Sequence, residues 1–269
     1  MKIGFFDSGL GGISVLHEAV KHFPNESFLY YADTLHVPYG SKTKEEVKSY
    51  VLQAAEEIIK QDVKALVVAC NTATSIAIET LRATYNIPII GMEPAAKPAL
   101  EISRSLNKRV LVFATSLTLK QAKYKHLLET IDDQSLIDSI PLQELVQYCE
   151  HLNFDQDTLK AYFQSKVQGL DLHQYGTVVL GCTHFPFYKG LLRDMFPPSV
   201  QFIDGSIGTV KRLEYVLKER NMLNTAGEQS VTFTSSSGAK EYEQKMKKAF
   251  HFLEEGKHEK VQKTDLVWD

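Results

Sequence analysis

A run of small and apolar residues that stops abruptly at a thiol sets the strongest limit on how this chain can fold. Residues 65–74 read ALVVACNTAT: Leu66, Val67, Val68 and Ala69 follow one another without a polar interruption, then Cys70, Asn71 and Thr72 open a segment with helical patterning. An unbroken apolar run this short suits a strand covered on both faces, as in a parallel sheet with helices on either side. Such sheets bind ligands at the carboxyl ends of their strands, which is where Cys70 falls. The chain nearly repeats the arrangement at 177–186, TVVLGCTHFP, with Cys182 in the matching position and Thr183 and His184 after it. A lone free cysteine is most simply a small buried hydrophobe. Two thiols at matched strand ends, each in a polar setting, point to chemistry.

The rest of the chain alternates in the same way. Residues 2–6, 28–32 and 87–91 are strand-like, while 13–23, with Ile13, Leu16, Ala19, Val20 and Phe23 at helical spacing, and 43–61 are helical. Thr43 and Glu46 have the spacing of a capping box. The second half restarts with strands at 109–114, 136–140, before Cys182 and at 200–203. Helices are expected at 119–131, 142–150, 157–167, 185–196 and 207–220, then a strand at 231–234 and a helix at 239–254. This alternation predicts parallel sheets with right-handed crossovers. The expected fold class is α/β: two similar doubly wound α/β lobes with parallel-rich sheets and a ligand site in the cleft between them. The first lobe is expected to comprise 1–95 plus 210–269, and the second 96–209. Pro94 and Pro98 mark a joint, Pro94 being equally readable as the first residue of a helix. The charged tail 256–269 reads as a solvated end.

With 269 residues, 43% of them hydrophobic and 23% charged, the chain has material for two cores. A net charge of −3 offers no reason to expect nucleic acid. No apolar run approaches the roughly 18 residues of a membrane span. Asp7 and the glycines at 9, 11 and 12 come too early for the apolar region of a signal peptide. Three irregularly spaced cysteines fit a reducing cytoplasm better than a disulfide framework.

DSGLGG at 7–12 invites a phosphate-loop reading, but it lacks GxGxxG and the terminal Lys-Ser/Thr of nucleotide motifs. The alternatives are a tight turn needing positive φ, or amides that hold a smaller anion such as a carboxylate. Asp7 reads as a helix cap, or as an acid that holds an ammonium group or relays a proton. The strand ends gather Ser8, Tyr39, Asn71, Thr72, Thr115, Ser116, Thr118 and Thr183. So many neutral hydrogen-bonding groups with few cations suit a small zwitterion rather than a polyphosphate. His184 has three readings: a zinc ligand, although the cysteines lack the paired spacing of structural sites; a base activating a Cys182 nucleophile; or a partner tuning a thiol for acid–base work. Two thiols facing each other across a cleft fit the last best. One removes a proton from one face of a carbon and the other delivers a proton to the opposite face, inverting a stereocentre without cofactor or metal. Cys149 reads as a packing residue and Glu150, by default, as a surface acid.

FDSGLGG, the VPYG of 37–40, ALVVACNTAT and LGCTHFP, in this order, resemble the glutamate racemases of the aspartate/glutamate racemase superfamily, from the first strand to about Glu219. The resemblance implies pyridoxal-independent, two-base racemisation of glutamate, with Cys70 and Cys182 exchanging the α-proton from opposite faces. It also implies a homodimer that supplies D-glutamate for bacterial peptidoglycan. Asp7 and His184 become the polar partners of the thiols, and Glu150 the acid that supports the histidine. Substrate contacts fall on Asp7, Ser8, Tyr39, Gly40, Asn71, Thr72, Thr183 and His184. The histidine after GCT, where a glutamate would suit aspartate racemase, favours glutamate. Asp204-Gly205-Ser206 departs from the more usual Asp-Ser-Gly, and MEPAAKP is richer in proline than the common EPGA form; both lie outside the cysteine motifs. Aspartate racemisation, cysteine-dependent hydrolysis through Cys182 and His184, and non-catalytic amino-acid binding are the alternative readings.

Overall fold

The computed structural model describes residues 1–92, 95–132 and 135–256, the side chain of Lys123 excepted. The expectations for Pro94 and for the tail from 257 onward lie outside the described residues. The strands are β1 (Lys2–Asp7), β2 (Ser27–Ala32), β3 (Val63–Val68), β4 (Ile89–Gly91), β5 (Arg109–Ala114), β6 (Ile137–Pro141), β7 (Tyr175–Leu180), β8 (Gln201–Asp204) and β9 (Ser230–Ser235). The helices are α1 (Ile13–His22), α2 (Lys44–Ile59), α3 (Asn71–Thr84), α4 (Ala96–Ser105), α5 (Ser116–Lys120), α6 (Ala122–Ile131), α7 (Gln143–Glu150), α8 (Gln156–Val167), α9 (Lys189–Arg193), α10 (Ser206–Glu219) and α11 (Lys240–Glu254).

Two parallel sheets result, ordered β4-β3-β1-β2-β9 and β6-β5-β7-β8. Without β9, the first order is the second one repeated, with β1 standing for β5 and β3 for β7. Even an irregularity recurs. The register of β1 on β3 shifts between Lys2 and Ile3, and that of β5 on β7 between Arg109 and Val110. Beyond each cysteine strand one more ladder bond continues, Ala69 N–H to Phe6 O at 2.8 Å and Gly181 N–H to Phe113 O at 2.7 Å. Cys70 and Cys182 therefore each stand two residues past a strand end, at the point where the strand order reverses. Open α/β sheets bind ligands there.

The alternation of side chains along a strand explains why the helices cover both faces. In β3, Ala65 and Val67 join one apolar cluster and Leu66 and Val68 another. The first cluster takes Ile13, Leu16 and Ala19 of α1, Leu213 and Leu217 of α10, and Met246 and Leu253 of α11. The second takes Val47, Val51 and Ile58 of α2 with Ala77 and Leu81 of α3. The first cluster also runs on into Phe113, Leu145, Phe163 and Phe185 of the second half, so one core spans both sheets. The Thr43 capping box is present in full: Glu46 N–H donates to Thr43 Oγ1 at 3.2 Å and Thr43 N–H to Glu46 Oε2 at 2.9 Å.

Two expected helices are broken. The segment 119–131 divides at Gln121, which is extended at φ −67°, ψ 138°, and whose side-chain amide donates to Leu117 O. Thr115 caps the short α5 ahead of it. The segment 185–196 becomes a single 3-10 turn, Phe185–Tyr188, followed by α9, which ends at Arg193. Pro186 stands in the first turn, where a missing N–H costs nothing; Phe185, Phe187 and Tyr188 are each anchored in the core, and their inward packing accompanies the tighter turn.

The chain returns to the first sheet through a buried ion pair. Lys64, 4% exposed, donates from Nζ to Glu26 Oε1 at 2.8 Å, Met222 O at 2.6 Å and Asn224 Oδ1 at 3.2 Å. Glu26 Oε1 also accepts from Asn224 N–H at 2.8 Å. Removing one partner of such a pair leaves a buried charge uncompensated. Lys64→Met is thus expected to cost about 3–5 kcal/mol, against about 1 kcal/mol for loss of the exposed cap in Thr43→Ala. Urea unfolding of the two variants checks the ranking; equal midpoints would contradict it.

Candidate active site

After β7 the chain turns at Gly181, where a Cβ would lie 2.8 Å from Phe113 O, and then presents Cys182, Thr183 and His184. His184 is 2% exposed. Its Nδ1 lies 3.6 Å from Cys182 Sγ, and its Nε2 donates to Glu150 Oε1 at 2.7 Å. Glu150 is 7% exposed, which corrects the expectation of a surface acid. Leu145, Val146 and Cys149 bury one face of α7 and carry Glu150 inward with them. Tyr242 of α11 donates its hydroxyl to Glu150 Oε2. Burial disfavours charge on both His184 and Glu150. The contacts with Cys182 and then Glu150 overcome it for His184, held well above its ordinary 6.5, and the contact with His184 does so for Glu150, held below its ordinary 4.5.

The glycine loop uses its amides on carboxylates, as one reading of the sequence allowed, and both carboxylates belong to the protein. Gly9 N–H donates to Asp7 Oδ1 at 2.9 Å, and Leu10 N–H to Glu150 Oε1 at 2.7 Å. The phosphate-loop and positive-φ readings are both corrected: neither Gly9 nor Gly11 has positive φ. What these positions need is room. A Cβ on Gly9 would fall 2.0 Å from Glu150 Oε1, and one on Gly11 2.4 Å from His184 Nδ1 and from Thr183 Oγ1. Nor is Asp7 a helix cap, since Gly12 occupies that position for α1. Asp7 is fully buried and accepts from Thr183 Oγ1 at 3.0 Å. Burial pushes its carboxyl above the usual range, while the charge of His184 and the hydrogen bonds from Gly9 and Thr183 pull the other way.

Cys70 is itself the N-cap of α3, with Ala73 N–H donating to its Sγ at 3.4 Å. Burial pushes the thiol well up, and the charge of Asp7 adds to this; the amide of Ala73 and the hydroxyl of Ser8 oppose it. Beside it the hydroxyls of Thr72, Thr115 and Thr118 share hydrogen bonds of 2.9–3.1 Å, tying α3 to the end of β5. Tyr39 is buried and donates to Asp33 Oδ2 at 2.6 Å, a carboxylate that His36 Nδ1 also meets at 2.9 Å.

Ser8, Tyr39, Gly40, Cys70, Asn71, Thr72, Cys182, Thr183 and His184 line one cleft, joined by Thr115 and Val146. Asp7 and Glu150 stand behind its wall, and Ser116 is not part of it. The cleft encloses about 10 Å³, room for about one water molecule. A larger cavity of about 550 Å³, walled by Ile78, Met92, Val112, Leu127 and Val179, shares only Asn71 with the cleft's lining and contains neither thiol. The closed cleft is the candidate active site. Among the described residues no group of three or more His, Cys, Asp or Glu side chains is placed to hold a metal ion, and no helix is long and apolar enough to cross a membrane.

The sequence profile described as Asp/Glu/Hydantoin racemase matches residues 13–213. The chain belongs to that family. It is 50% identical over 259 residues to glutamate racemase 2 of Bacillus subtilis, covering 95% of this chain and 97% of that one. It is 45% identical to the glutamate racemase of Halothermothrix orenii, over 95% and 100% of the two chains. The crystal structure of Thermus thermophilus glutamate racemase in complex with beta-chloro-D-alanine superposes with a TM-score of 0.78, at 30% identity and 92% coverage of each chain.

Within this family frame, sequence reasoning passed over Asp33, Tyr30 and Tyr242. Asp33 had a signal, since it follows β2 much as Asp7 closes β1. Tyr30, which donates to Gly9 O at 2.7 Å, reads as an ordinary strand residue, and Tyr242 lies where the motifs are silent. The His184–Glu150 pair sets a pH dependence. Stability from the raised His184 is full below 6.5 and is lost as pH rises through its folded value. Stability from the lowered Glu150 is full above 4.5 and is lost as pH falls through its folded value. The urea midpoint of Glu150→Gln is accordingly expected to fall furthest below that of the native chain between pH 4.5 and 6.5, and to approach it on both sides. A gap independent of pH would count against the charged pair.

Proposed function

We propose that this chain interconverts L- and D-glutamate by two-base proton exchange at Cα, with Cys70 and Cys182 as the acid and base. The observation that carries the reading is the pair of thiols, two residues beyond equivalent strands, lining one cleft with opposite electrostatic partners. His184 Nδ1 lies 3.6 Å from Cys182 Sγ, and an imidazole in contact with a thiol is a general activator of it. Cys70, buried and facing the charge of Asp7, is held as the thiol. In the proposed cycle the thiolate takes the α-proton from one face, the thiol gives its proton to the other, and the thiol and thiolate exchange roles. Enclosure in a cleft of about 10 Å³ leaves room for about one water molecule and keeps bulk water from the two sulfurs. Binding of an amino acid then requires the cleft to widen, which would break the contacts of Thr183 with Asp7 and with Ser14.

Glutamate is supported as substrate by the relatives from B. subtilis, H. orenii and T. thermophilus, each named a glutamate racemase. Ser8, Asn71, Thr72 and Thr183, with Tyr39 and Gly40, are the proposed substrate contacts; Asp7, His184 and Glu150 poise the thiols. The proposal includes the supply of D-glutamate for bacterial peptidoglycan. It places the enzyme in the cytoplasm, supported by three cysteines that are free thiols. It also includes a homodimer, supported by Ile207 and Tyr215, both 55% exposed on α10. The two lobes are proposed to divide as 1–95 plus 210–269 and 96–209, supported by the sheet order.

One observation favours a second reading: Cys182, His184 and Glu150 are spaced like the nucleophile, base and orienting acid of a thiol hydrolase. Such an enzyme has no use for Cys70. Incubation of the chain with L-glutamate in deuterium oxide is expected to give deuterium at Cα and loss of optical activity. Cys70→Ser and Cys182→Ser are each expected to lower the rate on the order of 10²–10⁴-fold, with unequal effects on deprotonation of the two enantiomers. Unchanged exchange in Cys70→Ser would overturn the two-thiol mechanism, and no exchange in the native chain would leave the hydrolase reading.

A further inference from the structure

We propose that Tyr242, from the first turn of the C-terminal helix α11, is a positioning residue for the Cys182 half of the site. It acts by fixing the carboxylate that orients His184. The inference rests on the racemase reading above and deepens it. Glu150 has two carboxylate oxygens to satisfy in a buried setting. Oε1 accepts from His184 Nε2 and from Leu10 N–H, both at 2.7 Å. Oε2 accepts from the Tyr242 hydroxyl. An ionised carboxylate out of contact with water keeps its charge only while donors surround it. A rotation that freed Oε2 would also move Oε1 away from His184.

The tyrosine is well built for this task. α11 packs on α1 and β9, the elements that continue from the glycine loop and border β2. Lys245 lies 5.2 Å from the centre of the Tyr242 ring, and the ring packs against the apolar core that spans both sheets. The hydroxyl therefore reaches Glu150 from an element anchored in the first half of the fold, whereas His184 and Cys182 belong to the second. The line Tyr242–Glu150–His184–Cys182 crosses between the two halves, and its last link is a reacting sulfur.

Other charged and titratable groups also face Glu150. Asp7 and Tyr30 do so from the first sheet, and His184 and Tyr188 from the segment after β7. None of these except His184 donates to the Glu150 carboxylate. Removing the Tyr242 hydroxyl withdraws a donor that favours ionised Glu150, so the carboxylate would take up a proton at higher pH and release His184 earlier on acidification.

The test compares the native chain with Tyr242→Phe and with 3-fluorotyrosine at position 242, assayed from each enantiomer of glutamate across pH. The phenylalanine variant is expected to lose about tenfold in kcat, the effect of one hydrogen bond to a charged group. KM should change less than twofold, the acid limb of the kcat profile should move upward, and exchange initiated by Cys182 should suffer more than exchange initiated by Cys70. Fluorotyrosine, a stronger donor of nearly the same shape, should move the acid limb downward; it keeps the test decisive even if Tyr242→Phe folds poorly. ¹⁵N NMR titration of His184 in the same proteins needs no turnover. A displaced His184 titration would support the positioning role even if the native chain failed to racemise glutamate, which would defeat only the functional reading. An unchanged titration and unchanged acid limbs in folded variants would overturn it.

Discussion

One carboxylate oxygen, Glu150 Oε1, accepts at 2.7 Å both from Leu10 N–H of the glycine loop and from His184 Nε2 beside the second thiol. Burying an ionised carboxylate costs several kcal/mol unless donors replace water. Here the replacement comes from segments about 170 residues apart in the chain, so forming the charged site and joining the two halves are one event. The same oxygen explains the loop's composition. A side chain on Gly9 would occupy its place, and one on Gly11 would collide with the imidazole it orients. Glycine is required at these positions because helix, carboxylate and imidazole crowd together, and not because the backbone needs an unusual conformation.

Around this contact, two backbones of nearly identical topology carry thiols in unlike electrostatic settings. The strand orders, the register irregularities and the ladder bonds beyond β3 and β7 correspond. The partners do not. Cys70 caps a helix, whose amides favour a thiolate, but Asp7 and full burial oppose that charge. Cys182 meets the imidazole of His184, which Cys182 and Glu150 together hold well above its ordinary value. Proton exchange across a carbon needs one partner loaded and one empty at the start of each cycle. Backbone symmetry sets two sulfurs at equivalent positions, and the unlike partners, Asp7 near Cys70 and His184 beside Cys182, give the proposed exchange its two distinct ends.

What the sequence made legible follows from how local each signal is. The apolar run before Cys70 and its near-repeat before Cys182 revealed two strands, their burial on both faces and the residues at their ends. The Thr43–Glu46 spacing revealed a helix start. Glu150 was not readable from its neighbours, because the polar segment HLNFDQ that follows it resembles solvent-facing chain. Its burial comes from α7 packing against the shared core, a tertiary fact. Tyr242 was illegible for the same reason, its partner lying 92 residues away. The breaks at Gln121 and Pro186 were missed because helical periodicity continued through them. In the first, a buried amide side chain satisfied the carbonyl that a continuous helix would have served; in the second, aromatic side chains anchored in the core accompany a 3-10 first turn.

On the proposed reading, the closed cleft ties substrate entry to the contacts around the second thiol. Widening it would separate Thr183 from Asp7 and Ser14, and parting the halves would withdraw Leu10 and Tyr242 from Glu150 while His184 stayed on the side of Cys182. Water entering the opened site would take the place of those donors, so what opening would remove is the fixed geometry that aims Glu150 at His184. On the proposed mechanism, closure over an amino acid would restore that geometry and expel bulk water together, so the pair of thiols would be assembled for proton exchange only when a Cα–H stands between them.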